Sequence, residues 1–243
     1  MFGPLPAAQI PPGQCVYAIG DIHGRADLLT ALLGQIQADA SDQLHNILIF
    51  LGDYVDRGPQ SQAVLELVTT LDWPGWTIVK LRGNHEQAVL DFLSNSETYA
   101  SWRNFGGGDT LWSYGVKPPS FSNPAEVAAA QDAFRAALPR SHYAFLVDLP
   151  CAHSIGDYYF VHAGVHPGLR FEDQIPADQL WIRDDFLLSD ARLEKVVVHG
   201  HTPSQEPVVR RNRIGIDTGA YATNRLTAVR LCGSEVRFLA ASL

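Results

Sequence analysis

Between residues 16 and 93 the chain runs three times from a short apolar segment, through a glycine-flanked polar loop, into a helical pattern. Segment 16–19 ends in Gly20-Asp21 and is followed by helical spacing over 26–38. Segment 46–51 ends in Gly52-Asp53 before a helix near 62–71, and 77–81 ends in Gly83-Asn84-His85 before a helix over 86–93. This alternation predicts βαβ units and a largely parallel sheet. In an open α/β sheet the carboxyl ends of the strands converge on one crevice. Side chains about thirty residues apart in sequence can therefore meet there.

The second half reads differently. Segments 158–161, 195–198, 213–216, 226–231 and 235–239 read as strands, and the short connections late in the chain suit antiparallel pairing. A second sheet packed on the first is the simplest way to bury them. Between them, 98–149 carries Trp102, Trp112, Gly106–108, Pro118-Pro119 and a helical stretch over 125–138. It is expected as a helical insertion over the sheet edge. With Pro4, Pro6, Pro11 and Pro12, residues 1–14 read as a flexible lead-in. The length of 243 residues then leaves 15–243 as one domain with a sizeable core.

Composition narrows the function classes. A net charge of −8 opposes general DNA or RNA binding, while leaving anionic small substrates open if bound cations set the local sign. Cys15, Cys151 and Cys232 are few, odd in number and far apart, which suggests no disulfide and a reducing compartment. There is no signal-peptide pattern at the start and no apolar run long enough to span a bilayer. The expected location is cytoplasmic, with no membrane partner.

Five strand ends carry residues a core would not choose: Gly20-Asp21-Ile22-His23-Gly24, Gly52-Asp53-Tyr54-Val55-Asp56-Arg57-Gly58, Arg82-Gly83-Asn84-His85-Glu86, His162-Ala163-Gly164 and His199-Gly200-His201-Thr202. Mixed carboxylate, amide and imidazole donors suit Mn²⁺, Fe²⁺ or Zn²⁺ better than Ca²⁺. Asp21, His23, Asp53, Asn84, His162 and His201 are enough for two ions, with Asp53 the natural bridge. As a set these residues are more than helix-capping turns, because caps require neither the histidines nor the flanking Arg-Gly.

The blocks GDIHG, GDYVDRG and RGNHE, followed by HAG and GHTP, resemble the phosphoprotein phosphatase group of calcineurin-like metallophosphoesterases, in its compact bacterial and phage form. The match runs from about Cys15 to Leu231. It implies a four-layer α/β/β/α sandwich of two mixed sheets with a two-metal site at one end. It also implies a phosphoric ester hydrolase in which a metal-bound hydroxide attacks phosphorus directly. By position, Asp21 and His23 match ligands of a first ion, Asp53 the bridge, and Asn84, His162 and His201 ligands of a second. His85 matches the general acid, Asp56 the carboxylate that orients it, and Arg57 and Arg183 the phosphate-binding arginines. The ions are expected to be Mn²⁺, with iron or zinc as alternatives.

His199 competes with His201, since two residues apart on a regular strand they would project alike; the resemblance favours His201. Asn104 and Gly106–108 resemble an Asn-Gly-Gly stretch of compact relatives and make Asn104 a substrate-contact candidate, though a plain helix connection is the alternative. Asp217 reads as support near the site. His45, His142, His153 and His166 read as ordinary surface or loop residues. The expected substrate is a phosphorylated protein or small phosphoester, as for a serine/threonine phosphatase. A symmetrical bis(5'-nucleosyl)-tetraphosphatase is the alternative. A catalytically inactive phospho-binding module is remote, because no ligand is missing.

Overall fold

The computed structural model describes residues 8–120 and 123–243. Strand β1 (Gln14–Ile19), helix α1 (Ala26–Asp39), β2 (His45–Phe50), α2 (Ser61–Thr70), β3 (Thr77–Lys80) and α3 (Asn84–Ser94) follow one another as the pattern predicts. The three strands pair in parallel, β1 with β2 and β2 with β3. Leu28, Leu29, Leu32, Leu33 and Ile36 of α1 recur at helical spacing and are buried, so one face of the helix lies on the sheet.

Four helices follow: α4 (Tyr99–Asn104), α5 (Gly107–Ser113), α6 (Pro124–Ala137) and α7 (Arg140–Asp148). Helix α6 starts where the sequence says it should. The Asn123 side chain accepts from the Ala125 and Glu126 amides, and Pro124 occupies the first turn, where no N–H is needed. Trp102, Phe134 and Leu146 from these helices join the same apolar cluster as α1, α2 and α3.

The chain then forms β4 (Ala152–Ile155), β5 (Tyr158–Val161), α8 (Pro176–Trp181), α9 (Asp184–Leu187), β6 (Val196–His199), β7 (Val208–Val209), β8 (Arg213–Gly215), α10 (Ala220–Thr223), β9 (Arg225–Cys232) and β10 (Glu235–Ser242). Strand orders are β10-β9-β1-β2-β3 and β4-β5-β6-β8-β7. Both sheets are mixed. The expectation that 226–231 and 235–239 belong to the second sheet is corrected: the β9–β10 hairpin covers the free edge of β1. Both faces of β9 are apolar, with Leu226 and Ala228 in the helix-side cluster and Val229 and Leu231 in the inter-sheet cluster. Such a strand gains most inside a sandwich.

Strict alternation assigns the layers. Cys15, Tyr17 and Ile19 of β1 face the helices, while Val16 and Ala18 face the other sheet. In β5, Tyr158 and Phe160 face the first sheet, while Tyr159 and Val161 pack with Ile182 and Phe186 on the outer side. Three apolar interfaces therefore separate four layers, helix, sheet, sheet and helix.

Two further expectations change. Cys15 and Cys232 sit opposite each other on β1 and β9, Cα atoms 4.6 Å apart, and form a disulfide, leaving Cys151 free. The 217-residue separation hid this neighbour relation. The bond also removes the cysteine pattern as support for a reducing compartment. Of the expected lead-in, residues 1–7 lie outside the described residues. Beyond them the segment is tied down, because Ile10 is buried and its amide donates to the Gly233 carbonyl. Among the described residues no helix is long and apolar enough to cross a membrane.

Candidate active site

Loops at the carboxyl ends of β1, β2, β3, β5 and β6 gather at one end of the sandwich. Five of their residues other than glycine have left-handed backbones: His23, Asp53, Asp56, Arg57 and His201, with φ between 45° and 70°. Such conformations are costly for side chains with a Cβ and cluster at functional sites. Gly200 shows how close the packing is: a Cβ there would sit 2.0 Å from Asp21 Oδ1. At His201 the left-handed turn ends the regular strand. His199 therefore does not project alongside His201; its ring packs on Phe186, and its Nδ1 lies 3.0 Å from the Gly200 carbonyl.

Asp53 stands at the centre. Its Oδ2 lies 3.5 Å from His23 Nε2 and 3.7 Å from His85 Nε2, and its Oδ1 lies 3.4 Å from His162 Nε2. Asn84 Oδ1 is 2.8 Å from both His162 Nε2 and His201 Nδ1. Asp21 Oδ2 is 3.9 Å from His23 Nε2, and the Asp21 carboxylate accepts from the His201 amide. All six expected ligand residues are thus brought together and buried. Two tight donor groups result, His23–Asp53–His85 and Asp53–His162–His201, sharing Asp53.

The far sides of His23 and His162 are already engaged, whereas His201 Nε2 is buried without a hydrogen-bond partner. His23 Nδ1 lies 2.9 Å from the Val55 carbonyl and His162 Nδ1 3.0 Å from the Leu51 carbonyl. A carbonyl can only accept, so each Nδ1 carries the proton and each Nε2 lone pair faces Asp53. Acceptors then converge with no proton to share among them: His162 Nε2, Asn84 Oδ1 and Asp53 Oδ1, the last of which also accepts from the His85 amide. Cations at this point satisfy all of them, so the residues present fit a pair of divalent ions.

The calcineurin-like phosphoesterase family model matches residues 16–231. The chain belongs to this family. It is 29% identical over 221 residues to serine/threonine-protein phosphatase 1 of Salmonella typhimurium, covering 89% of this chain and 91% of that one. It is 35% identical over 155 residues to a symmetrical bis(5'-nucleosyl)-tetraphosphatase of Dechloromonas aromatica, covering 63% and 45% respectively. The solved structure of a cold-active protein tyrosine phosphatase shares the fold with a TM-score of 0.61 at 19% identity, covering 95% of this chain and 81% of that one. The protein is a metallophosphoesterase, an enzyme of the phosphatase type.

Within this calcineurin-like phosphoesterase, His85 is held from behind. Its Nδ1 lies 2.7 Å from Asp56 Oδ2. Asp56 in turn accepts from Trp102 Nε1 at 2.9 Å and from the Thr110 hydroxyl at 2.6 Å. Burial pushes Asp56 up to about 7 and holds His85 well below the usual histidine range. Burial also raises Asp21 and Asp53 and lowers His23, His162 and His201. The histidines are thus neutral donors. The crowded carboxylates repel one another, a burden that bound cations would relieve.

Arg57 lies over the Tyr221 ring, 4.7 Å from its centroid, and Tyr221 sits edge-on to His23 at 5.4 Å. Arg183 is exposed and donates from Nη1 to Thr202 Oγ1 at 3.1 Å. Asn104 is exposed at the end of α4. Its neighbours make that loop's contacts to the site: the Gly106 carbonyl accepts from the Arg57 amide, and Phe105 lies 5.7 Å from His85, ring to ring.

Further buried polar residues hold the site loops in place. Buried Glu86 accepts from the amides of Asp53, Tyr54 and Gly83, pinning two site loops to one carboxylate. It sat in plain view in the RGNHE block but carried no signal for its partners. Asp217, expected as support near the site, is buried and accepts from the Gly219 amide. His142, expected at the surface, is buried, with Nδ1 2.8 Å from the Tyr114 hydroxyl and Nε2 3.1 Å from Glu66. Its place on the inward face of α7 corrects that expectation.

Proposed function

We propose that the enzyme hydrolyses phosphate monoesters in the manner of a protein serine/threonine phosphatase, using two divalent ions held by Asp21, His23, Asp53, Asn84, His162 and His201. The observation that carries this is Asp53, whose two oxygens face separate donor groups. Mixed nitrogen and oxygen donors select only weakly among Mn²⁺, Fe²⁺ and Zn²⁺, and Mn²⁺ is the ion proposed from the resemblance to compact bacterial phosphatases. When bound, such a pair neutralises phosphoryl oxygens and makes water a stronger acid.

The chain's own residues supply the rest. Arg57 and Arg183 offer planar forks to the non-bridging oxygens, with Tyr221 supporting Arg57 from below. His85 directs Nε2 toward the cluster; with the raised Asp56 carboxyl protonated and donating to Nδ1, the neutral ring carries its proton on Nε2, gives it to the departing oxygen and takes the Asp56 proton in return. Trp102 and Thr110 fix Asp56 and so fix the ring of His85. Asn104 contacts the substrate beyond the phosphoryl group.

The test begins with chelator-stripped protein assayed on p-nitrophenyl phosphate. Turnover should vanish without metal and return with Mn²⁺. Persistent turnover in the stripped protein would refute the metal assignment. A second reading, symmetrical cleavage of dinucleoside tetraphosphates, is favoured by the relatives that carry that name. Comparing diadenosine tetraphosphate with a phosphoserine peptide decides between them; the peptide should be the better substrate. The cytoplasmic location stays a proposal, to be tested by fractionation.

A further inference from the structure

Three aromatic rings stand against three different histidines of the site. Tyr221 lies beside His23, Phe105 beside His85, and Trp181 beside His201 at 6.3 Å between ring centroids. Tyr221 already has a partner in Arg57. Phe105 and Trp181 instead pair with each other, centroids 5.5 Å apart and planes at 48°. They come from distant parts of the chain, the α4–α5 connection and the last residue of α8. Trp181 is 40% exposed and Phe105 is half-buried, so this pair is not sealed in the core. An exposed tryptophan and a half-buried phenylalanine held together beside a polar site offer apolar area to a ligand.

We infer that Phe105 and Trp181 form an aromatic ledge that receives the ring of an aryl phosphate, so that the site favours phosphomonoesters with an aromatic leaving group, phosphotyrosine among them. The inference deepens the phosphomonoester reading and rests on it. Position decides the class of ring. Phe105 adjoins His85, the residue proposed to protonate the leaving oxygen. In an aryl phosphate the ring is attached to that oxygen directly. In a dinucleoside tetraphosphate cleaved symmetrically, a ribose and a further phosphate separate the base from the scissile oxygen. The reaction is ordinary hydrolysis. The bond from phosphorus to the phenolic oxygen breaks and one from phosphorus to a water oxygen forms. The departing oxygen takes a proton, giving a phenol and inorganic phosphate.

The test needs substrates that differ in the ring but not in the leaving oxygen. Benzyl phosphate and cyclohexylmethyl phosphate both release primary alcohols, so their kcat/KM ratio in the Mn²⁺-reconstituted full chain reports recognition of a flat ring. We expect benzyl to lead by about fivefold to tenfold, the scale of one aromatic contact. Phe105→Leu and Trp181→Leu should each pull the ratio toward one, while Phe105→Tyr and Trp181→Phe keep it. Independently of turnover, calorimetry should show phenylphosphonate binding more tightly than methylphosphonate, with the difference lost in the Leu variants. Peptide pairs carrying phosphotyrosine or phosphoserine distinguish a protein source of the ring from free aryl phosphates. A wild-type benzyl ratio near one, or Leu variants that keep the wild-type ratio, would overturn the ledge. If both simple esters are inert while diadenosine tetraphosphate is cleaved, the phosphomonoester reading has failed and the ledge falls with it.

Discussion

The loops that end β1, β2, β3, β5 and β6 bury four carboxylates, Asp21, Asp53, Asp56 and Glu86, with His23, His85, His162 and His201. The strands feeding them bury apolar side chains on both faces in strict alternation. The backbones differ likewise. Among the described residues, five of the six non-glycine positions with positive φ lie in the loops; the sixth, Asn224, ends α10. The frame gains stability from burial along its central strands β1, β2, β5, β6 and β9, while the site floor sets buried charge and strained turns against it. What stabilises the floor is therefore expected to come from outside the chain, as cations. Substitutions in the two regions should fail in opposite ways.

Asp53→Asn is the most severe break. It removes the carboxylate shared by both donor groups. Metal affinity should fall by more than the roughly 10–100-fold typical of losing an outer hydrogen-bond partner. Turnover should drop to background, while the metal-free variant melts higher than metal-free wild type because one buried charge is gone. Elemental analysis and thermal melts read both effects. A variant that keeps full metal occupancy would refute the bridge. His85→Ala should lower kcat by roughly two to four decades, the range of general acid catalysis, at unchanged metal content. Since His85 Nε2 also lies 3.7 Å from Asp53 Oδ2, loss of metal in this variant would instead make it a ligand.

The frame should respond the other way. Replacing Cys15 and Cys232 together, as Cys15→Ala with Cys232→Ser, should cost about 2–4 kcal/mol of stability while leaving kcat at the wild-type value below the melting range. Chemical denaturation with parallel assays checks this. A fall in kcat would mean that the β1–β9 edge steers the Asp21 loop.

A pH series separates the regions more finely. Burial raises Asp56 to about 7, from an ordinary carboxylate value of 3.8. A raised acid adds most stability below its unfolded value, and that contribution is lost as pH climbs through the folded one. Metal-free wild type should therefore lose melting temperature between about pH 4 and pH 7. Asp56→Asn should lose less over that window, since its side chain does not ionise. Equal slopes for the two proteins would place the pH dependence elsewhere, with Glu86, also raised to about 7, the next suspect.

The same division explains what could be read from sequence. That Asp21, His23, Asp53, Asn84, His162 and His201 come together is legible in the sequence, because glycine-flanked Asp and His at strand ends have few uses in a core. The parallel units were legible because burial imposes a period. Partners were not. Glu86 reaches four amides, and Trp102 and Thr110 reach Asp56 across 46 and 54 residues, through contacts fixed only by packing. The β9–β10 hairpin was assigned to the wrong sheet because two-faced apolar strands fit either side of the sandwich. The burial of His142 is not legible in the sequence, because a lone histidine gives no sign of which helix face it lies on.

Asn104 gives the smallest effect and the sharpest boundary between floor and rim. Its loop touches the site through Phe105 and Gly106, yet Asn104 itself is exposed at the end of α4. Neutral hydrogen bonds formed at an exposed position contribute about 0.5–1.5 kcal/mol. Asn104→Ala should therefore lower kcat/KM for a phosphopeptide by about twofold to tenfold, mostly through KM, because a contact beyond the phosphoryl group holds substrate and transition state alike. The small ester p-nitrophenyl phosphate, which extends less far beyond the phosphoryl group than a peptide, should respond less. A fall in kcat of a hundredfold on both substrates would move Asn104 from the rim to the floor. Its amide would then have to touch the phosphoryl oxygens beside Arg57, since only a group that meets developing charge changes kcat on every substrate.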